Sequence, residues 1–145
     1  MKYNITYLFL LLFAGMFSQQ KDSVKAKGAE IFSIVEEMPQ YPGGTAEMMK
    51  YLQTNIVYPP KERENGIEGK VFVRFIVEEN GSIGETDVMK GVAGGSALDE
   101  EAMRVVKAMP NWIPGKQNGK NVRVWFNLPI HFKLSDPVET KQEKK

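Results

Sequence analysis

Between residues 122 and 134 the chain alternates without a break. Val122, Val124, Phe126, Leu128, Ile130, Phe132 and Leu134 take every second position, with Arg123, Trp125, Asn127, Pro129, His131 and Lys133 between them. Only an extended strand puts such a set on one face, because successive side chains of a strand point to opposite sides. Seven apolar residues on one face are too much surface to leave in water, so whatever else folds must cover it.

Two upstream segments can supply the cover. Residues 96–109 put Leu98, Ala102, Val105, Val106 and Met109 on one helical stripe, with Glu100, Glu101, Arg104 and Lys107 opposite and Pro110 as the stop. Ser96 and Asp99 have the spacing of a capping box. Val71, Val73, Phe75 and Val77 alternate as a strand, Asn80-Gly81 offers the positive-φ pair of a two-residue turn, and residues 83–90 return as its partner. Ile83 and Val88 cannot share a face under strict period two, which predicts a bulge near Gly84.

Earlier still, residues 31–35 read as a short strand, and Pro39, Pro42, Gly43 and Gly44 punctuate the adjoining stretch of chain. Thr45 then reads as the N-cap of a helix carrying Met48, Leu52 and Ile56, and Pro60 opens a further helical turn that Gly66 closes. The expected fold is α+β: a two-layer sandwich with helices on one face of a three-stranded antiparallel sheet, plus the short N-terminal strand and helix. The helix between the second hairpin strand and the final strand is a crossover, which gives the order 2-1-3 and leaves the final strand at an edge. Pro129 agrees, since a proline cannot donate to a ladder.

The ends stand apart from this core. Residues 1–20 have a basic start, an apolar centre and a polar exit, the order of a signal peptide, with an uncleaved signal anchor as the alternative. Residues 21–30 read as a flexible lead-in and 135–145 as a disordered tail, so the folded domain is expected over 31–134.

Charge and composition remove several functions. With 19 basic and 18 acidic residues the chain lacks the excess that phosphate neutralisation requires, so no nucleic-acid partner is expected. It has no Cys and one His, which starves zinc sites and thiol chemistry. His131 lies on the outward face of the final strand with no nucleophile in sequence reach, the paired glutamates point apart, and Gly91 to Gly95 lacks the residues of a phosphate loop. No enzyme activity and no cofactor is expected. What the residues do offer is an edge strand able to take up another chain through its backbone, with Arg123, Trp125 and Asn127 on the outward face beside it.

The residues also carry a resemblance. Tyr58-Pro59, Gly66-Ile67-Glu68-Gly69 before Val71-Phe72-Val73, Asn80-Gly81, Leu98-Asp99 with Ala102, Trp112, Pro114-Gly115, Asn118-Gly119-Lys120 and Pro129-Ile130 with Phe132 together resemble the TonB C-terminal domain. Pro39, Tyr41, Pro42-Gly43-Gly44 and Tyr51-Leu52 with Asn55 resemble its Bacteroidetes form. The resemblance implies a periplasmic energy-transducer domain that grips the TonB box of outer-membrane receptors by strand addition to its last strand. Carried onto this sequence, the partner-binding edge is Val122, Arg123, Val124, Trp125, Phe126, Asn127 and Leu128. It further implies the proton-driven motor proteins ExbB and ExbD as partners. Against motor coupling in cis stands the interval from Phe17 to Phe32, about 15 residues reaching ~50 Å, with no long Pro-rich spacer. The resemblance leaves two readings: a transducer in receptor-mediated transport, or a solitary periplasmic or secreted peptide-binding module without force transduction. Uncapped edges also admit a homodimer.

Overall fold

The alternating run forms the longest strand of the molecule among the described residues. A computed structural model describes residues 30–134. The expected signal segment, the lead-in apart from Glu30, and the expected tail lie outside the described residues.

In chain order the elements are β1 (Ile31–Phe32), α1 (Gly44–Asn55), α2 (Pro60–Glu64), β2 (Gly69–Val77), β3 (Ile83–Lys90), α3 (Ser96–Lys107), β4 (Gly115–Gln117) and β5 (Lys120–Phe132). The sheet runs β1-β5-β2-β3, with β4 paired to β5 off that path. The fold is α+β with helices on one face, and the expected order 2-1-3 is the β3-β2-β5 portion. The sheet nevertheless has five strands rather than three, and it is mixed, because β1 joins β5 in parallel. β1 is two residues long and β4 three, too short to show a period of two.

The core forms where the alternating faces meet the helical stripes. Val71, Val73, Phe75 and Val77 of β2 and Leu128, Ile130 and Phe132 of β5 pack against Leu98, Ala102, Val105 and Val106 of α3 and Met48 and Leu52 of α1. Trp112 plugs the end of this layer, with ring centroids 4.8 Å from Phe126, 5.3 Å from Phe75 and 5.7 Å from Tyr41. Tilted and edge-on contacts of this kind suit aromatic quadrupoles.

The β2–β3 ladder shifts register between Phe75 and Val77, whose partners are Thr86 and Ile83. One extra residue of β3 therefore sits at Gly84–Glu85, the position the sequence predicts, and it turns both Ile83 and Val88 toward the core. The turn itself differs from expectation. Glu78 N–H donates to the Ser82 carbonyl, Gly81 N–H donates to the Glu78 carbonyl, and only Gly81 has positive φ, so the loop has three residues. The close approach of Trp112 favours that form: its N–H donates to the Gly81 carbonyl at 2.7 Å, and a Cβ on Gly81 would lie 1.9 Å from the Trp112 carbonyl oxygen. The two-residue turn occurs instead at Asn118-Gly119, where both residues have positive φ and Gln117 faces Lys120.

Two helix starts also differ. α1 begins at Gly44 behind a left-handed Gly43, not at a Thr45 cap, because the coil of Gly43 and Gly44 already brings Gly44 N–H to the Tyr41 carbonyl. α3 has no side-chain cap, since the Asp99 carboxylate accepts from Val92 N–H of the preceding loop instead.

Candidate functional site

β5 pairs with β2 over nine consecutive positions, from Phe132 opposite Gly69 to Val124 opposite Val77, without a register shift. On its other side β1 sets Ile31 opposite Arg123 and Phe32 opposite Val124. β4 pairs with residues 120–122. Beyond Val124, residues 125–132 have no strand partner on the side away from β2 among the described residues. The last strand is thus an open edge along its second half only. Of the seven positions expected at the partner-binding edge, Val122 already has β4, Arg123 and Val124 already have β1, and Trp125, Phe126, Asn127 and Leu128 lie on the open part.

Pro129 fixes which backbone groups face outward. The ladder passes through the Phe72–Pro129 pair unbroken, which a proline allows where its nitrogen faces away from the neighbouring strand. By the alternation of antiparallel ladders, Trp125, Asn127 and His131 then present their N–H and C=O groups at the open edge, while Val124, Phe126, Leu128 and Ile130 present theirs to β2.

Side chains divide the same way. Val124 and Leu128 are buried and closed to a partner, and the partly buried Phe126 packs on Phe75 and Trp112. Arg123 is forked onto Glu78, with Nε 2.7 Å from Oε2 and Nη2 3.2 Å from Oε1. That carboxylate holds the Arg123 guanidinium above its ordinary pKa. Arg74 of β2 lies over the Trp125 ring at 4.3 Å and reaches Asp87 of β3 at 3.6 Å. The Arg74 guanidinium thus covers the indole, at a strength of about 0.5–1 kcal/mol for an exposed cation–π pair. Ile76, opposite Trp125, is fully buried although it alternates with the core residues Val73, Phe75 and Val77 of β2. Asn127 is exposed.

At its far end the open edge borders a cavity of about 480 Å³ walled by Met49 and Leu52 of α1, by Ile56 and Tyr58 after it, and by Pro129 and His131 of β5. Tyr58 donates its hydroxyl proton to the Ile67 carbonyl, stacks edge-on against Phe132 at 5.8 Å, and has Arg63 5.7 Å above its ring. His131, read from sequence as a solvated residue, is exposed and forms part of this rim. Met49 is 48% exposed. It adjoins the helical stripe in sequence, and that placement was the one hint of a wall there. Among the described residues no cluster of three or more His, Asp or Glu is placed to hold a metal ion.

Comparison with known proteins bears on this edge. The model of a family described as Gram-negative bacterial TonB protein C-terminal matches residues 54–134. The chain belongs to this TonB C-terminal family. The match takes in β2 to β5, hence the whole open edge, while β1 and most of α1 precede it. Protein tonB2 of Pseudomonas aeruginosa is 37% identical over 78 residues, which cover 54% of this chain and 28% of that protein. This TonB-family chain thus matches less than a third of the length of that relative. Two solution structures of the TonB C-terminal domain of Helicobacter pylori align with it. One has a TM-score of 0.47 and 22% identity, covering 63% of this chain and 94% of the other. The second has a TM-score of 0.43 and 25% identity, covering 66% and 88%.

Proposed function

We propose that this chain binds TonB-box-like segments of TonB-dependent outer-membrane receptors by strand addition, within energy-dependent transport across the outer membrane. The observation that carries the reading is the half-open β5, whose residues 125–132 lack a strand neighbour on the side away from β2 among the described residues. Backbone groups at such an edge give affinity to an incoming strand, and side chains beside it give selectivity. Trp125 and Asn127 are the members of the expected set able to contribute both. Of the rest, Arg123 alone gains outward backbone groups when β1 leaves, because Val122 stays paired with β4 and Val124 faces β2.

The domain acts in the periplasm on this reading. No described helix is long and apolar enough to cross a membrane; cell fractionation of a tagged chain tests where it resides. The same edge would let two copies pair, which sedimentation at increasing concentration tests.

The binding reading is tested by titrating isotope-labelled protein with synthetic TonB-box peptides. The expected result is a shift of the Trp125 and Asn127 amides and of the Trp125 indole, with small changes in α3. No shift along β5, or shifts confined to other elements, overturns it.

A further inference from the structure

The chain contains three Asn-Gly steps: Asn65-Gly66 after α2, where the Gly66 N–H donates to the Arg63 carbonyl at 3.2 Å, and two in hairpin turns, Asn80-Gly81 between β2 and β3 and Asn118-Gly119 between β4 and β5. Glycine leaves its own nitrogen open to the preceding side chain, because no Cβ stands in the way. The two hairpin turns treat that opportunity differently.

At the first turn both reacting groups are engaged. Asn80 Oδ1 accepts from the Ser82 amide at 3.0 Å and from the Ser82 hydroxyl at 2.6 Å, and Gly81 N–H donates to the Glu78 carbonyl at 2.8 Å. Gly81 is also buried beneath the Trp112 backbone. At the second turn both residues are exposed, nothing lies within 4 Å of a Cβ placed on Gly119, and neither the Asn118 side chain nor the Gly119 N–H has a hydrogen-bond partner among the described residues.

We propose that Asn118 is a site of spontaneous deamidation and that the fold protects Asn80 from the same reaction. The Gly119 amide gives its proton to hydroxide, and its nitrogen attacks Cγ of Asn118. A ring N–C bond forms, the C–N bond to the side-chain amide breaks, and the amide nitrogen leaves as ammonia after taking a proton from water. Water then opens the cyclic imide at either carbonyl, giving aspartate or isoaspartate. One water is consumed and one ammonia released, with no change of oxidation state and a mass gain of about 1 Da.

The position gives the reaction a structural consequence. Glu36 Oε2 accepts from the Asn118 backbone N–H at 3.3 Å, and Glu36 N–H donates to Gln117 Oε1 at 3.1 Å. This clasp ties the segment after β1 to the β4–β5 turn. A new carboxylate at position 118 repels Glu36 and loosens the clasp beside the covered part of β5.

The test is peptide mapping by mass spectrometry of the whole chain incubated at 37 °C, folded and in urea. In the folded protein Asn118 is expected to convert about a hundredfold faster than Asn80, the factor that a few ordinary hydrogen bonds impose on local opening. In urea the two rates converge. Gly119→Ala suppresses conversion at 118 without altering 80, and Ser82→Ala speeds conversion at 80. Equal conversion at both sites in the folded protein, faster conversion at 80, or conversion at neither while both react in urea, overturns the proposal.

Discussion

A proline placed at Asn127 and one placed at Val124 should have opposite effects, although the positions are three residues apart on one strand. Asn127 is exposed, and its N–H faces the open edge if Pro129 faces that way, since both occupy odd positions of an unshifted ladder. Asn127→Pro removes no β2–β5 hydrogen bond. The residue before it is already extended, as a proline requires, so the stability change should stay within about 1 kcal/mol. Val124 is fully buried and pairs with Val77. Val124→Pro deletes a ladder bond and forces a ring into the strand partner, a loss of at least ~3 kcal/mol. Binding follows the reverse pattern. A ligand carbonyl left facing the ring at 127 forfeits its hydrogen bond, worth ~1–3 kcal/mol when desolvated, or about tenfold to a hundredfold in affinity. Urea unfolding gives the stabilities, with Val124→Ala as the control for lost side-chain volume, and peptide titration followed by Trp125 fluorescence gives the affinity. Equal destabilisation by the two prolines would refute the assignment of outward groups. A folded Asn127→Pro protein with unchanged affinity would refute the use of this edge.

Other perturbations separate further parts of the structure. Gly81→Ala places a methyl 1.9 Å from the Trp112 carbonyl at φ +85° and should destabilise by ~3 kcal/mol or more. Gly94→Ala, at φ +73° with open space around it, should cost only the ~1–2 kcal/mol of left-handed backbone; equal losses by chemical denaturation would contradict the close approach. Glu101 is held below its ordinary pKa first by its hydrogen bond to Arg104, and also by Val57 N–H. A depressed carboxyl stabilises the fold above its unfolded value of ~4.3 and loses that contribution as pH falls through the folded value. Glu101→Gln should therefore be less stable by about 1 kcal/mol at pH 7, given how exposed Arg104 is, and the gap should close in acid. Phe32→Pro, which removes the N–H that faces β5, should detach β1 with a stability loss near 1 kcal/mol and strengthen peptide binding by up to about tenfold, read by titration beside the parent protein.

The sheet and its core were legible because long periodic segments dominate their own energetics. β2, α3 and β5 each bury a full face, and even the bulge at Gly84 could be read from the phase conflict between Ile83 and Val88. What escaped the sequence was decided by distant neighbours. The turn at Asn80-Gly81 is shaped by the approach of Trp112, 31 positions on, and the ladder partner of Ile31 lies at Arg123. The edge itself was half legible: alternation and Pro129 marked it, but a two-residue parallel pairing leaves no periodic trace, so its coverage by β1 was invisible. Ile76 is buried although its parity in β2 is opposite to that of Val73, Phe75 and Val77, and the Arg74–Trp125 stacking nearby joins residues 51 apart.

The position of β5 also sets a timetable. It is the last strand to be made among the described residues, yet it sits inside the sheet, between β1 and β2. Until it emerges, β2 has a neighbour on one side only and β1 has none. A nascent chain stopped before residue 120 can form the β2–β3 hairpin and the helices, but an isolated hairpin is marginal in water. Long-range pairings of this kind slow folding, and here they also make it wait for β5: the sheet is acquired as one event once that strand has emerged rather than strand by strand.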